Sequence, residues 1–252
     1  MKSIILAAGR GSRINILTSK QPKCLIKVAG KTLLSWQIKA LNNQSSKICI
    51  VTGYLSNLIE KDIKNIQKIS TVKNILWKKT NMIFSLFCAK KWIDNDDLII
   101  SYSDIFYSEE MITELNSSKD DITIIYDKEW FKLWNKRFND PFKDAETLKV
   151  DSSGNLLEIG RKSNDINSFD GQFIGLIKIK KVGWEKINAI KKKINLNEFY
   201  KIDTTSFLSF LIDNGLKIKA LSSDNRWGEI DTYDDLNLYE TLIKENYFKW
   251  IK

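Results

Sequence analysis

The sequence predicts an α/β fold in which a mixed, mostly parallel sheet lies between two layers of helices in a Rossmann-like arrangement. The first observation is a series of short, continuously apolar runs, which are typical of strands covered on both faces. The second is that helical patterns separate these runs over roughly the first 125 residues, as in right-handed βαβ units. The predicted strands are Ser3–Ala8, Ile48–Gly53, Asp97–Asp104 and Asp121–Lys128.

The helices between these strands are predicted from apolar residues that recur every three or four positions. In Thr32–Asn43 the recurring residues include Leu34 and Leu41. The same spacing over Asn81–Trp92 predicts one further helix. Each segment therefore presents one apolar stripe to the sheet.

The second half of the chain is less regular. Hydrophobic runs and turn residues predict a hairpin around Ser152–Asn155, two further strands and two helices, the first with Gly215 as its C-terminal stop. No repeat or low-complexity linker divides the sequence, so residues 1–252 are expected to form one domain. The remaining predicted elements are a strand at Gln172–Lys180, a helix at Thr204–Gly215, a strand at Ile218–Ser223 and a closing helix at Thr232–Ile251.

The composition excludes several classes of chemistry. The chain has 252 residues and no histidine, which excludes Ser–His–Asp and Cys–His catalysis and imidazole-rich zinc sites. The net charge of +9 is spread over helix faces, so a nucleic-acid partner is not expected. Cys24, Cys49 and Cys88 lack metal or redox spacing, and no apolar run is long enough for a membrane span. We therefore expect a cytoplasmic protein.

The glycine-rich stretch "ILAAGRGSR" directly follows the first predicted strand. A dinucleotide loop would need a third glycine, where Ile14 stands, and an acidic residue about 20 positions later. A Walker A loop would need Gly-Lys-Ser/Thr, which is also missing. Two alternatives remain: a tight turn, or an anion cradle made of the loop amides together with Arg13 and Lys23.

A longer pattern resembles the start of the nucleotidyltransferases, the family that includes sugar-1-phosphate nucleotidylyltransferases and phosphocholine cytidylyltransferases. The family's opening motif is matched by Leu6–Arg13, followed by Leu17–Thr18 and by Pro22–Lys23. The sequence departs from many relatives at Ile16, where they have proline, which should alter loop stiffness more than chemistry. The resemblance implies a GT-A-like nucleotidyltransferase fold, with residues 1–125 mainly binding nucleotide and 126–230 mainly binding the acceptor.

Two aspartates match the metal ligands of this family. Asp104 follows the strand in "SYSDIFY", and Asp231 stands in "WGEIDTYDDL". Each alone is as readily a turn or helix-capping residue. Together with the opening loop, the resemblance implies that both bind Mg²⁺.

The family's reaction suits a chain without histidine. The resemblance implies that a phosphomonoester oxygen attacks the α-phosphorus of a nucleoside triphosphate and releases pyrophosphate. The second pKa of such a phosphate is about 6, so no general base is needed. Catalysis then depends on positioning and charge neutralisation. Lys23 and Arg13 are the implied catalytic residues, and the implied nucleotide-binding residues are Leu6, Ala7, Ala8, Gly9, Gly11, Ser12, Arg13, Lys23, Thr80, Asn81 and Ser103. Thr80 and Asn81 could equally cap the following helix.

The stretch Asp127–Val150 closely resembles the phosphocholine-type cytidylyltransferase branch. Tryptophans beside acids suit an ammonium group, and an arginine suits a carboxylate or phosphate. We therefore expect CTP and a small phosphorylated amine or amino acid, with L-glutamine phosphate as the best candidate, in capsule or surface polysaccharide modification. Phosphocholine, a sugar-1-phosphate and a non-catalytic nucleotide-binding regulator remain alternatives, and the sequence does not indicate an oligomeric state. The expected acceptor-binding residues are Trp130, Trp134, Arg137, Glu146, Gln172 and Glu229.

Overall fold

The computed structural model describes residues 1–93 and 96–251 of the chain. Its strands are β1 (Lys2–Ala7), β2 (Lys27–Val28), β3 (Lys31–Thr32), β4 (Lys47–Thr52), β5 (Ile69–Lys73), β6 (Leu98–Tyr102), β7 (Ile105–Tyr107), β8 (Ile122–Asp127), β9 (Leu148–Val150), β10 (Leu156–Ile159), β11 (Gln172–Ile179), β12 (Lys219–Ser223) and β13 (Trp227–Glu229). Its helices are α1 (Asn15–Thr18), α2 (Leu33–Asn42), α3 (Ser56–Ile63), α4 (Met82–Cys88), α5 (Lys90–Ile93), α6 (Glu109–Ser117), α7 (Trp130–Arg137), α8 (Lys181–Lys191), α9 (Leu196–Lys201), α10 (Thr204–Asp213) and α11 (Tyr233–Lys244).

A seven-stranded sheet forms the centre of the molecule, in the order β12-β8-β11-β6-β1-β4-β5. Strand β11 runs antiparallel to both of its neighbours, and the other pairs in this sheet are parallel. The mixed, mostly parallel sheet predicted from the sequence is therefore confirmed.

Buried apolar residues cover both faces of this sheet. One cluster joins one face to helices that include α2, α6, α7 and α11, and a second joins the other face to helices that include α4, α8, α9 and α10. Successive side chains of β1 point to opposite faces of the sheet, so Ile5 belongs to the first cluster and Ile4 to the second. The three-layer architecture follows directly. No helix among the described residues is both long and apolar enough to cross a bilayer.

Two predicted helices differ from the structure. The predicted helix Asn81–Trp92 is divided into α4 and α5 at Ala89, where the backbone leaves the helical region at ψ 6°. The predicted closing helix ends at Lys244 instead of Ile251, because Asn246 adopts a left-handed conformation with φ 62°. Asparagine tolerates this conformation and commonly ends helices there. The predicted stop at Gly215, with φ +83°, is confirmed.

The topology places two loops side by side at one edge of the sheet. Strand β1 pairs in parallel with β4 on one side and with β6 on the other, so the chain connections diverge at β1. In open α/β sheets, ligands bind in the crevice beyond the carboxyl ends of the strands at such a switch point. The glycine loop follows β1 and Asp104 follows β6, so both lie at this crevice.

Candidate active site

The glycine loop after β1 provides room for Lys23. Gly11 has φ +68°, a conformation that glycine adopts without strain. A Cβ atom at Gly11 would lie 2.9 Å from Cδ of Lys23, whereas a Cβ at Gly9 would meet no atom within 4 Å. The loop also packs against α1, where the Thr18 hydroxyl donates to the Gly11 carbonyl at 3.0 Å. Gly11 is therefore required by the path of the Lys23 side chain.

The Lys23 ammonium lies between two carboxylates that come from distant parts of the chain. Its Nζ is 2.8 Å from Oδ2 of Asp104 and 2.5 Å from Oδ1 of Asp231. Burial opposes the charge on Lys23, yet Asp104 and Asp231 raise its pKa above the usual value. Burial likewise opposes the charge on Asp104, but Lys23 holds the pKa of that carboxyl below its usual range. Lys23 and Asp104 therefore both remain charged.

A short ribbon brings the two aspartates together. Strand β7 begins directly after Asp104, and it pairs antiparallel with β13, which ends two residues before Asp231. The Ile230 amide also donates to the Asp104 carbonyl at 3.0 Å. Downstream, Asp235 forms a capping box with Thr232 and accepts from the Asp231 amide at 3.0 Å. Backbone pairing thus fixes a site whose members are more than 100 residues apart.

Glu229 is the third carboxylate of this cluster. One oxygen from each of Asp104, Glu229 and Asp231 lies within 4.8 Å of the other two. Burial and the Asp231 charge raise the pKa of Glu229, while the Arg137 guanidinium lowers it. The sequence analysis assigned Glu229 to the acceptor. Glu229 does line the cavity described below, but its carboxylate belongs equally to the acidic cluster.

The cluster fits a hard divalent cation. Its donors are carboxylate oxygens, which Mg²⁺ prefers. Oδ1 of Asp104 is buried and accepts no hydrogen bond from any described residue, so one oxygen is available for a metal. Residues Asp104, Glu229 and Asp231 therefore suit the Mg²⁺ expected from the sequence.

Arg13 lies at the solvent side of the cluster. Its guanidinium pairs with Asp231 at 3.0 Å and reaches Asp144 at 3.7 Å, while 63% of its side chain is exposed. Ser12 is exposed beside it. Ser103 is half-buried in the turn between β6 and Asp104. The predicted catalytic cations and metal ligands thus lie together at the crevice beyond β1 and β6.

A cavity of about 320 Å³ opens beside this cluster. Arg13, Glu229 and Asp231 form the wall nearest the cluster, and residues from the second half of the chain form the rest. Among the expected acceptor residues, the wall includes Trp134, Glu146, Gln172 and Glu229; its remaining polar members are Tyr102, Asp144, Thr147, Lys162, Asp203, Thr204 and Thr205.

Arg137 does not have the predicted place on the cavity wall. Its side chain is fully buried, and its guanidinium donates to Glu229 at 3.0 Å and to both oxygens of Asp235 at 2.8 and 3.3 Å. It also stacks on Trp134 at 4.8 Å. The expectation of direct acceptor contact was therefore wrong for Arg137, because its donors are directed at the protein's own carboxylates. It positions Glu229.

Trp130 is also absent from the cavity wall. Only 2% of Trp130 is exposed, and its ring packs against aromatic rings that include Trp134 and Phe169, with centroids 6.0 and 5.1 Å away. The predicted acceptor role of Trp130 is therefore replaced by a role in the core. Trp134 does reach the wall, where its Nε1 donates to Asp144 at 3.2 Å.

Gln172 lies on the wall but uses its amide elsewhere. Its Oε1 accepts from the Glu146 amide at 3.0 Å, and its Nε2 donates to the Glu146 carbonyl at 2.7 Å. These two bonds fix the backbone of Glu146. Gln172 thus lines the cavity and at the same time positions Glu146.

A smaller pocket of about 70 Å³ lies on the other side of the glycine loop. Alternation along the end of β1 turns Leu6 and Ala8 toward this side, whereas the side chain of Ala7 joins the opposite core cluster. Ala7 can thus offer only its backbone. The wall of this pocket consists of Leu6, Ala8, Gly9, Trp77, Thr80, Asn81, Met82 and Ser85.

Thr80 and Asn81 line this small pocket, and Asn81 also caps the start of α4. The Asn81 side chain accepts from the Met82 amide at 2.8 Å and donates to the Lys201 carbonyl at 3.1 Å. The capping alternative is therefore confirmed for Asn81. Buried Asn74, which was not predicted from the sequence, donates from its amide to the hydroxyls of Thr80 at 2.9 Å and Ser85 at 3.0 Å. A single asparagine after a polar strand matches no motif that would indicate a role at the pocket.

Comparisons with known proteins agree with this geometry. A model of the MobA-like NTP transferase domain matches residues 3–152. CTP:phosphoglutamine cytidylyltransferase from Campylobacter jejuni is 36% identical over 250 residues, which cover 94% of this chain and 98% of that protein.

Solved structures show the same fold. The inositol-1-phosphate CTP transferase from T. maritima has a TM-score of 0.77 and 20% identity, with 97% of this chain and 96% of that chain covered. The CTP:phosphocholine cytidylyltransferase from Streptococcus pneumoniae has a TM-score of 0.73 and 21% identity, with 96% and 98% covered. The matched domain contains the glycine loop, Lys23 and Asp104. On these grounds, the chain belongs to the MobA-like NTP transferase family of nucleotidyltransferases.

Proposed function

We propose that this protein is a cytidylyltransferase that couples CTP to a small phosphorylated amine or amino acid, with L-glutamine phosphate as the best candidate, and releases pyrophosphate. The observation that carries the proposal is the convergence of Lys23, Asp104 and Asp231 at the crevice beyond β1 and β6. The likeness to CTP:phosphoglutamine cytidylyltransferase along nearly the whole chain supports the choice of both substrates.

The reaction forms one bond and breaks one bond at the α-phosphorus of CTP. An oxygen of the acceptor phosphate attacks this phosphorus, and the bond to the oxygen that bridges the α- and β-phosphates breaks. That oxygen leaves with pyrophosphate. The acceptor phosphate is already largely ionised at neutral pH, so no protein group has to remove a proton. This agrees with a chain that contains no histidine.

The protein's own contribution is to hold charges in place. The amides of the loop Gly9–Ser12 and the exposed guanidinium of Arg13 suit the departing pyrophosphate. Lys23 suits the α-phosphate or the incoming phosphate. Asp104, Asp231 and Glu229 would hold Mg²⁺, which when bound supplies neutralisation and polarisation of the phosphate. Such preorganised charges act more strongly where they are buried, as Lys23 and Asp231 are.

The small pocket beside β1 suits the cytosine base. Apolar Leu6 and Ala8 line one side, and the polar groups of Thr80 and Asn81 line another. A pocket of about 70 Å³ favours a single-ring base over a purine. We therefore retain the division in which residues 1–125 mainly bind nucleotide and residues 126–230 mainly bind the acceptor.

We further propose that the enzyme acts in the cytoplasm, in capsule or surface polysaccharide modification. The cysteine usage supports the first point, since Cys24, Cys49 and Cys88 form no disulfide among the described residues. Burial raises the pKa of Cys24 to about 12, which suppresses its reactivity.

The proposal is tested with a matrix of substrates. Each of CTP, UTP, dTTP, ATP and GTP is combined with Mg²⁺ and with L-glutamine phosphate, phosphocholine, 2-aminoethylphosphonate or a sugar-1-phosphate, and pyrophosphate release and the cytidylylated product are measured. We expect turnover with CTP and an amine-bearing acceptor. Turnover only with UTP or dTTP and a sugar phosphate would contradict the proposal, and nucleotide binding without any turnover would identify a non-catalytic regulator.

A further inference from the structure

The cavity beside the acidic cluster has two different ends. At the cluster end, Arg13 and the proposed metal site suit the phosphate groups of both substrates. At the other end, Glu146 follows α7 in the chain, and Asp203 and Thr204 stand at the start of α10. The group that an acceptor carries away from its phosphate would meet this second end.

The second end is predominantly acidic. Glu146 and Asp203 are close enough that, after burial, the Asp203 charge contributes to raising the pKa of Glu146. The cationic residue nearby, Lys162, lowers that pKa but is already bound to the protein. Its ammonium donates to the carbonyls of Lys143, Asp144 and Ala145 at 3.4, 2.8 and 3.1 Å. These bonds use the three donors of a lysine, so Lys162 secures this segment of the wall.

Hydrogen bonds hold the backbone of Glu146 and the carboxylate of Asp203 in place. The amide of Gln172 fixes the backbone of Glu146 from both sides, as described above. Oδ1 of Asp203 caps α10 by accepting from the Ser206 amide at 2.8 Å. A preorganised pair of this kind loses little conformational entropy when a ligand binds.

An unsatisfied hydroxyl lies next to this pair. Thr204 is 2% exposed and lines the cavity, and its Oγ1 makes no hydrogen bond of acceptable geometry with any described residue, although the Tyr102 hydroxyl lies near it. Buried hydroxyl groups are normally satisfied, so this one indicates a place where a ligand completes the bonding. Together the three side chains present mainly hydrogen-bond acceptors.

The aromatic rings of this region do not provide a cage for a quaternary ammonium. Trp130 lies in the core, and the Arg137 guanidinium already stacks on the face of Trp134. Tyr102 and Phe173 contact each other edge to face, with centroids 5.8 Å apart. A trimethylammonium group has no N–H to donate and depends on open aromatic faces, whereas a protonated amine donates to carboxylates and hydroxyls.

We propose that Glu146, Asp203 and the hydroxyl of Thr204 form a subsite that binds a protonated amine on the acceptor and selects it over a trimethylammonium group. The proposal rests on the proposed function and identifies residues that determine its acceptor specificity. It places the selection in acidic side chains of the second half of the chain, on the wall of the same cavity as the proposed metal ligands Glu229 and Asp231.

The test uses two variants that remove charge without changing shape, Glu146→Gln and Asp203→Asn. Asparagine caps helices as well as aspartate does, so the second variant keeps the start of α10. For each variant, kcat and KM are measured with L-glutamine phosphate, with phosphoethanolamine and with phosphocholine, and the KM for CTP and the melting temperature serve as checks. Glu185→Gln, an exposed substitution on α8, is the matched control.

We expect wild-type enzyme to prefer phosphoethanolamine over phosphocholine in kcat/KM. Each variant should raise the KM for the two amine-bearing acceptors roughly 10- to 100-fold, the effect of losing a charged hydrogen bond. The kcat and the KM for CTP should change little, the KM for phosphocholine should rise less than that for the amine-bearing acceptors because only charge attraction is lost, and the control should match wild type. Wild-type turnover with an unchanged KM in both variants would overturn this inference alone. Absence of any turnover by wild type would overturn the proposed function and this inference with it.

Discussion

The proposed nucleotide side and the proposed acceptor side of the crevice are built in different ways. On the nucleotide side, the loop Gly9–Ser12 and Asp104 directly follow β1 and β6 of the central sheet, so backbone geometry places them. On the acceptor side, Glu146, Gln172 and Asp203 come from separate segments and are held by side-chain contacts. Backbone geometry follows from short motifs, whereas side-chain contacts depend on the whole packed molecule. The first kind of site is therefore easier to identify in a sequence.

Replacing Arg137 tests the connection between the two sides and should cause the largest change, a loss in the free energy of unfolding. Arg137→Met leaves Glu229 and Asp235 as buried carboxylates without their cation, which typically costs about 3–5 kcal/mol in folding free energy. The free energy of unfolding in urea measures this cost. For the milder Arg137→Lys, we expect a lower kcat with every acceptor and an unchanged KM for the acceptor. A rise in acceptor KM alone would restore Arg137 to the acceptor site.

Removing one carboxylate of the acidic cluster should disable the nucleotide side. Asp104→Asn keeps the size of the side chain but removes a charge from the proposed metal site, and we expect kcat to fall about 10²- to 10³-fold, as for loss of one preorganised electrostatic group. Pyrophosphate release measures the rate, and isothermal titration with Mg²⁺ measures metal binding independently. Asp213→Asn, an exposed carboxylate on α10, is the control. Full activity of Asp104→Asn would contradict the proposed role of Asp104.

The acceptor side contains a buried carboxylate that should affect stability without affecting the site. Burial raises the pKa of Asp127 to about 6, although the Trp227 indole donates to it at 3.0 Å. A raised pKa means that the folded state binds the proton more tightly than the unfolded state does. The stability contribution is therefore complete at low pH and is lost as the pH rises through about 6.

Both oxygens of Asp127 accept from N–H groups, so Asp127→Asn should lose one hydrogen bond at every pH. Its stability relative to wild type should nevertheless be higher at pH 8 than near pH 3, by up to about 3 kcal/mol for a shift of about two pKa units. Urea denaturation at several pH values measures the difference. We expect kcat/KM to match wild type at pH 8. A difference from wild type of equal size at both pH values would show that Asp127 does not titrate as described.

Substitutions at the two glycines of the opening loop should distinguish an effect on stability from an effect on nucleotide binding. Gly11→Ala forces a side chain into a left-handed backbone and against Lys23, so we expect a loss of about 1–2 kcal/mol in stability together with lower kcat. Gly9→Ala meets open space and should leave the melting temperature unchanged while raising the KM for CTP. Equal melting temperatures for both variants would show that the loop accommodates either side chain.

The contrast between the sides also explains how far the sequence could be interpreted. Continuous apolar runs predicted β1, β4, β6 and β8, but β5 was missed because its sequence ISTVK is half polar at the edge of the sheet. The motifs identified Lys23, Asp104 and Asp231, and the structure brings these residues into contact.

Side-chain direction could not be predicted for the acceptor half. Trp130 is a residue type that suits an ammonium group, yet packing places it in the core. Arg137 is a residue type that suits a carboxylate, yet its guanidinium is directed at the protein's own Glu229. Asp203 and Thr204 resemble an ordinary helix start in the sequence. Only the fold shows that α10 begins at the cavity.

The pairing of β7 with β13 determines when the active site is completed during synthesis and folding. Asp104 is synthesised well before Glu229 and Asp231, and the three-residue ladder that joins them closes a very long loop of chain. Such non-local pairing forms late, since the entropy of closing the loop must first be offset. During synthesis the glycine loop and Lys23 would fold before their acidic partners emerge. Activity should therefore begin abruptly when the last strand docks, and a nascent chain that has not reached Asp231 would lack the complete metal site.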